Sequence, residues 1–189
     1  MVTSTTSQRV AYLLIGITGL LCLSVFAAAT TSALAESAGT MRADLFVIER
    51  NKNRNQVQYA IRLDAGCAPV GDAPIEVFWR MLEVSPSATE SIGAFEKMAY
   101  GIKSQARRGA ETELRLEALP EKRLQVRTTK DPSGACVAEA YAPVQGGQAR
   151  LTRIYVQAED SALLPSVQHI DVTGVSASGA ILTERLAPE

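Results

Sequence analysis

The chain's single histidine, His169, is followed two residues later by Asp171, so in an extended strand the imidazole and the carboxylate share one face. An aspartate so placed can orient an imidazole for general-base chemistry, with Ser176 or Ser178 as the nucleophile. No Gly-x-Ser-x-Gly elbow accompanies those serines, and Ile170 and Val172 alternate with the pair as they would on any solvated strand. His169 and Asp171 would also supply two metal ligands, whereas a closed zinc site takes four and a catalytic one three. No third ligand is marked by spacing, so the sequence assigns no metal and no cofactor.

A second constellation lies in FVIERNKNRNQVQYAIRL, Phe46 to Leu63, where Arg50, Lys52 and Arg54 fall between two apolar runs. Two arginines held by flanking strands, with a lysine nearby, form a fork for a carboxylate or phosphate if they converge. The plainer explanation is a hairpin tip. Asn51, Asn53 and Asn55 tolerate turn conformations and bond to neighbouring backbone, while the three cations keep the tip soluble. Glu49 beside Arg50 weakens the fork by neutralising it.

Other chemistries are excluded by pattern. There is no glycine-rich phosphate loop, no Cys-x-x-Cys and no His-Glu-x-x-His. Carboxylates such as Glu76 and Glu117 can meet across strands, though exposed acids on alternating strands are ordinary solvation. Acids and bases nearly balance, with a formal net charge of -1, so no field draws nucleic acid or an anionic membrane.

The elements that must position these residues begin after a leader. Arg9 is the only charge before Glu36, the run from Val10 to Ala29 is uninterrupted by ionised groups, and Ser32-Ala33-Leu34-Ala35 puts small residues where signal peptidase reads them. Residues 1–35 are therefore expected to be a secretory signal peptide, with an uncleaved membrane anchor as the alternative. Leu21 before Cys22 is too bulky for a lipobox. Cleavage leaves Cys67 and Cys136, an even count that in an exported chain predicts a disulfide. The expected location is periplasmic or secreted, without stable membrane insertion once the leader is gone.

A short segment, 36–44, then leads into a single β-rich domain over 45–186. Val57, Tyr59, Ile61 and Leu63 alternate with polar residues, as do Ile75, Val77, Trp79 and Met81, then Leu114 and Leu116, then Leu124 and Val126. Asp131-Pro132-Ser133-Gly134, Gln145-Gly146-Gly147-Gln148 and Ser176-Ala177-Ser178-Gly179 supply turns. The pattern predicts an all-β fold of about nine strands, an antiparallel β-sandwich or barrel. One segment departs from it: Ile92, Phe95, Met98, Ala99 and Ile102 share a helical face, Ser87 with Glu90 suits a capping box, and Gly101 suits a stop. A short helix over one end of the sheets is expected, or an apolar lid over a pocket.

The order FVIERNKNRNQVQY, PIEVFWRMLE, a helix ending in AYGI, and VQHIDVTGV with a closing hairpin resembles the bacterial family called domain of unknown function 4833. The resemblance runs from about Leu45 to Leu186 and implies an exported β-rich domain; it implies no activity, cofactor or site residue. The leader, the cysteine pair and the lack of a catalytic constellation lead to a non-catalytic binding or structural module of the cell envelope. Its partner is expected to be an envelope protein or a small ligand, not nucleic acid. Two alternatives stand beside it: a carrier holding an apolar ligand inside a barrel lined by Val77, Trp79 and Leu116, and a hydrolase working through His169 and Asp171.

Overall fold

In a computed structural model of the chain, residues 39–109, 111–159 and 166–187 are described; the expected leader, 1–35, lies outside them. Among these described residues, eleven strands and one helix follow one another as β1 (Met41–Arg50), β2 (Asn53–Leu63), β3 (Ile75–Arg80), β4 (Thr89–Ser91), α1 (Ala94–Tyr100), β5 (Ile102–Arg108), β6 (Glu111–Leu116), β7 (Leu119–Lys130), β8 (Cys136–Val144), β9 (Gly147–Glu159), β10 (Ser166–Ser176) and β11 (Ile181–Leu186). The all-β expectation holds. The two strands beyond the expected nine are β4, only three residues long, and β5, whose IKSQARR carries no clean alternation.

The pairing is antiparallel with one exception. β10 runs along one edge of β9 from Ala149 to Glu159. The other edge is divided: β8 pairs with Gly147–Arg150, and β1 pairs in parallel with Arg153–Val156. The sheet therefore forks at β9 into one wing running β1, β2, β3, β4 and another running β8, β7, β6, β5. Between the wings lies the core. Ile48, Val57, Tyr59, Ile61 and Leu63 of the first wing meet Leu114, Leu116, Leu124, Val126 and Val144 of the second, all wholly or almost wholly buried. Phe46 and Tyr59 stack across β1 and β2 with ring centroids 4.6 Å apart.

Two fasteners hold the wings together. Cys67, just past β2, is bonded to Cys136 at the start of β8, with Cα atoms 5.3 Å apart. At the far margins, Gln105 of β5 reaches the first residue of β3, accepting from the Ile75 amide at 3.0 Å and donating to its carbonyl at 3.3 Å. A side-chain amide thus supplies the donor and acceptor that a neighbouring strand would have offered.

The turns follow their chemistry. Asp131 accepts from the Ser133 and Ala135 amides at 2.8 and 2.9 Å, and Gly134 takes the left-handed conformation at φ 86°. Gln145 and Gly146 are both left-handed, as a two-residue hairpin turn with the native twist requires.

The helix differs from expectation in extent, cap and facing. It spans seven residues, and its N-cap is Gly93, whose amide donates to the Glu96 carboxylate; Ser87 and Glu90 are not the capping pair. Phe95 and Met98, expected to face the sheets, are 84% and 75% exposed, while Ile92 and Tyr100 at either end are buried. The reason is the anchor: the Tyr59 hydroxyl donates to the Tyr100 carbonyl from within the core, which fixes the helix by its end. Burial pushes the Tyr59 hydroxyl far above its ordinary value, so it remains a donor. Gly101 does end the helix, because a Cβ there would lie 2.2 Å from the Lys97 carbonyl oxygen.

Replacing Cys67 and Cys136 by serine should lower unfolding stability by about 4 kcal/mol, given a loop of this length. Urea titration of oxidised and double-serine protein measures it. Gln105→Leu strands the Ile75 amide and carbonyl and should destabilise by about 1–3 kcal/mol, with hydrogen exchange at Ile75 accelerated.

Candidate functional site

Beside the β1–β2 turn the first wing opens into a cleft of about 240 Å³, lined by residues that include Arg50, Asn53, Asn55, Trp79 and Glu90. Alternation places them there. Arg50 continues the inward face of Phe46 and Ile48, and Asn55 and Asn53 continue that of Tyr59 and Val57. Trp79 lies opposite Val57 on β3, and Glu90 lies opposite Trp79 on β4, so both share this face.

Arg50 is the charge at the centre. Its guanidinium carbon lies 5.1 Å from the Trp79 ring centroid and 5.7 Å from that of Tyr100, and the two rings meet edge to face at 6.0 Å. Such cation–π contacts favour a guanidinium beside the rings and leave its N–H groups to hydrogen-bond. The Nε of Arg50 and the Oδ1 of Asn53 are buried atoms without a hydrogen-bond partner. An unpaired buried donor or acceptor costs about 1–3 kcal/mol, so this cleft retains unmet polar capacity. Arg62 differs, because its Nε faces the Glu76 carboxylate at 2.9 Å.

The three cations of the tip do not converge. Arg54 points away from the cleft, exposed, with its backbone amide donating to Glu83 at 3.1 Å, and Lys52 is exposed in the two-residue turn. Asn51 does not adopt the left-handed conformation; its side-chain amide instead bonds to both the amide and the carbonyl of Ala158, at 3.0 and 2.9 Å. Sequence reasoning found Arg50 but missed the walls. Carrying the alternation of Tyr59 and Val57 back by four residues would have placed Asn55 and Asn53 inside.

His169 and Asp171 share the outer face, as alternation requires, with Nε2 and Oδ2 3.7 Å apart. Asp171 is committed elsewhere: both its oxygens accept from the Arg185 guanidinium of β11, at 2.7 and 2.8 Å. That guanidinium holds the Asp171 carboxyl below the usual carboxylate range. Ser176 and Ser178 bond to each other at 2.9 Å in the β10–β11 turn, roughly 20 Å along the strand from His169 at its rise per residue. A nucleophile-base pair is not assembled from these residues. Glu76 faces Arg62 rather than a second carboxylate partner. Among the described residues no group of three His, Cys, Asp or Glu side chains could hold a metal.

Of the residues expected to line an interior for an apolar ligand, Leu116 is wholly buried and Trp79 is 6% exposed, both packed in the core, while Val77 is half-buried against it. Open apolar volume lies elsewhere, in a groove of about 550 Å³ lined by Leu119, Pro120, Pro143, Ile170 and Leu186 among others. No helix among the described residues is long and apolar enough to cross a membrane.

Fold and cleft together define a curled-sheet β-domain with one polar recess walled by aromatic rings. The chain belongs to the family described as Domain of unknown function (DUF4833), whose model matches residues 46–185. No curated protein and no solved structure matches it.

Because the Asp171 carboxyl is held down by Arg185, the pair adds stability above the unfolded aspartate value of about 3.9, and that stability disappears as pH falls through the lower folded value. In Arg185→Gln the Asp171 carboxyl-carbon resonance should titrate at higher pH than in the wild type. The stability gap between the two proteins should close in acid.

Proposed function

We propose that this protein is a non-catalytic binding module of the cell envelope that takes a small ligand in the Arg50 cleft, using Arg50 to read a carboxylate. The observation that carries the reading is the Arg50 guanidinium, set within cation–π distance of Trp79 and Tyr100 with its buried Nε unpartnered. A planar guanidinium with spare donor capacity is matched by the two oxygens of a carboxylate. The disulfide supports an exported location. The expected leader, cleaved after residue 35, would deliver the domain there.

An apolar-ligand carrier remains a second reading, now based on the groove beside Leu119 and Pro143 rather than on the sheet interior. A hydrolase based on His169 and Asp171 draws no support from the placement of Ser176 and Ser178.

Trp79 is the chain's only tryptophan and forms a wall of the cleft, so its fluorescence reports occupancy directly. Titration with a panel of small carboxylates should produce a saturable change in wild-type protein that Arg50→Met removes or weakens about tenfold or more. Carboxylates that leave Trp79 emission and melting temperature unchanged would refute the Arg50 reading. Apolar probes that raise the melting temperature equally in both proteins would favour the groove.

A further inference from the structure

The cleft that holds Arg50 also presents carboxylates. Glu90 sits on β4 in register with Trp79, and its side chain is exposed at the mouth of the recess. Glu96 also lines the recess, half-buried, with its carboxylate accepting from the Gly93 amide as the helix cap. Glu96 is thereby engaged in backbone structure, whereas no hydrogen bond or ion pair of the Glu90 carboxylate is part of the cleft's framework. One guanidinium and two carboxylates therefore line a single recess of about 240 Å³.

This arrangement is a poor receptor for a simple anion. Phosphate, or a dicarboxylate, would gain from Arg50 but meet two further carboxylates lining the same recess, an unfavourable pairing at a partly desolvated site. It is an equally poor receptor for a simple cation, which would meet Arg50. A ligand with both signs matches both walls. Its carboxylate would lie against the edge of the Arg50 guanidinium, its ammonium would face Glu90, and the Oδ1 of Asn53, a buried acceptor without a partner, would take one of the ammonium hydrogens. Trp79 and Met81 complete the lining with apolar surface, which leaves room for a short hydrocarbon side chain. The volume suits a molecule of that size and not a polymer segment.

We infer that the Arg50 cleft binds a small zwitterion of the α-amino-acid kind, with the carboxylate on Arg50 and the ammonium between Glu90 and Asn53. The inference rests on the cleft being a ligand site and adds the class of ligand.

The test uses the complete mature chain, Trp79 fluorescence and calorimetry, with four probes: L-leucine, N-acetyl-L-leucine, L-leucinamide and inorganic phosphate. L-leucine should bind saturably, and the two derivatives, each lacking one charge, should bind about tenfold or more weakly. Glu90→Gln, at an exposed position that does not endanger folding, should weaken L-leucine by a similar factor and leave N-acetyl-L-leucine unchanged or improved. Should N-acetyl-L-leucine or phosphate bind as well as L-leucine, with Glu90→Gln neutral toward L-leucine, the cleft is an anion site: the zwitterion is overturned while the Arg50 reading stands. L-leucine binding that survives Arg50→Met unaltered would overturn both. The absence of L-leucine binding while other carboxylates bind in an Arg50-dependent way overturns the zwitterion alone.

Discussion

The division of one edge of β9 between two strands is the constraint from which the rest of the architecture follows. A strand offers one row of donors and acceptors per edge, and here β8 uses the first part and β1 the last. The two neighbours cannot continue side by side in one plane, so the sheet parts into wings that face each other. Their inward rows then bury against one another: Tyr59, Ile61 and Leu63 from one side, Leu114, Leu116 and Leu124 from the other. The disulfide and the Gln105 clasp fasten wings that this fork has already brought together.

The cleft is a by-product of the same geometry. Toward the β1–β2 turn the inward faces stop being apolar, and Arg50, Asn53 and Asn55 replace the Ile48, Val57 and Tyr59 series. Polar groups there have left the hydrocarbon interior without reaching open water. Aromatic rings compensate for the arginine's lost hydration, and Tyr100 is available for that role only because Tyr59 secures its carbonyl. One wall of the recess, β4, is a three-residue strand at the sheet's margin.

Much of the fold was legible in the sequence, because period-two patterning records which face is buried. The Val57, Leu114 and Leu124 strands, the Asp131 turn, the Gln145-Gly146 reversal and the Cys67–Cys136 pair stand where residue chemistry placed them. Less legible were features settled by distant partners. β5 has no apolar rhythm because its task is carried by the Gln105 amide, and the helix face was misjudged because a hydrogen bond from Tyr59 outweighs the weak preference of a seven-residue helix. At the cleft, the sequence marks Arg50 but groups it with companions that lie elsewhere. Arg54 sits on the opposite face, and Trp79 and Tyr100 come from segments that only the tertiary structure brings near.

The parallel ladder between β1 and β9 has a kinetic side as well. Val47 bonds alongside Arg153, so the first strand's outer edge stays unsatisfied until almost the whole chain is present. Contacts of such sequence separation close large loops and slow the search for the native arrangement. Hairpins such as β6–β7 can form early from local contacts, but the interior seals only when the ninth strand joins the first.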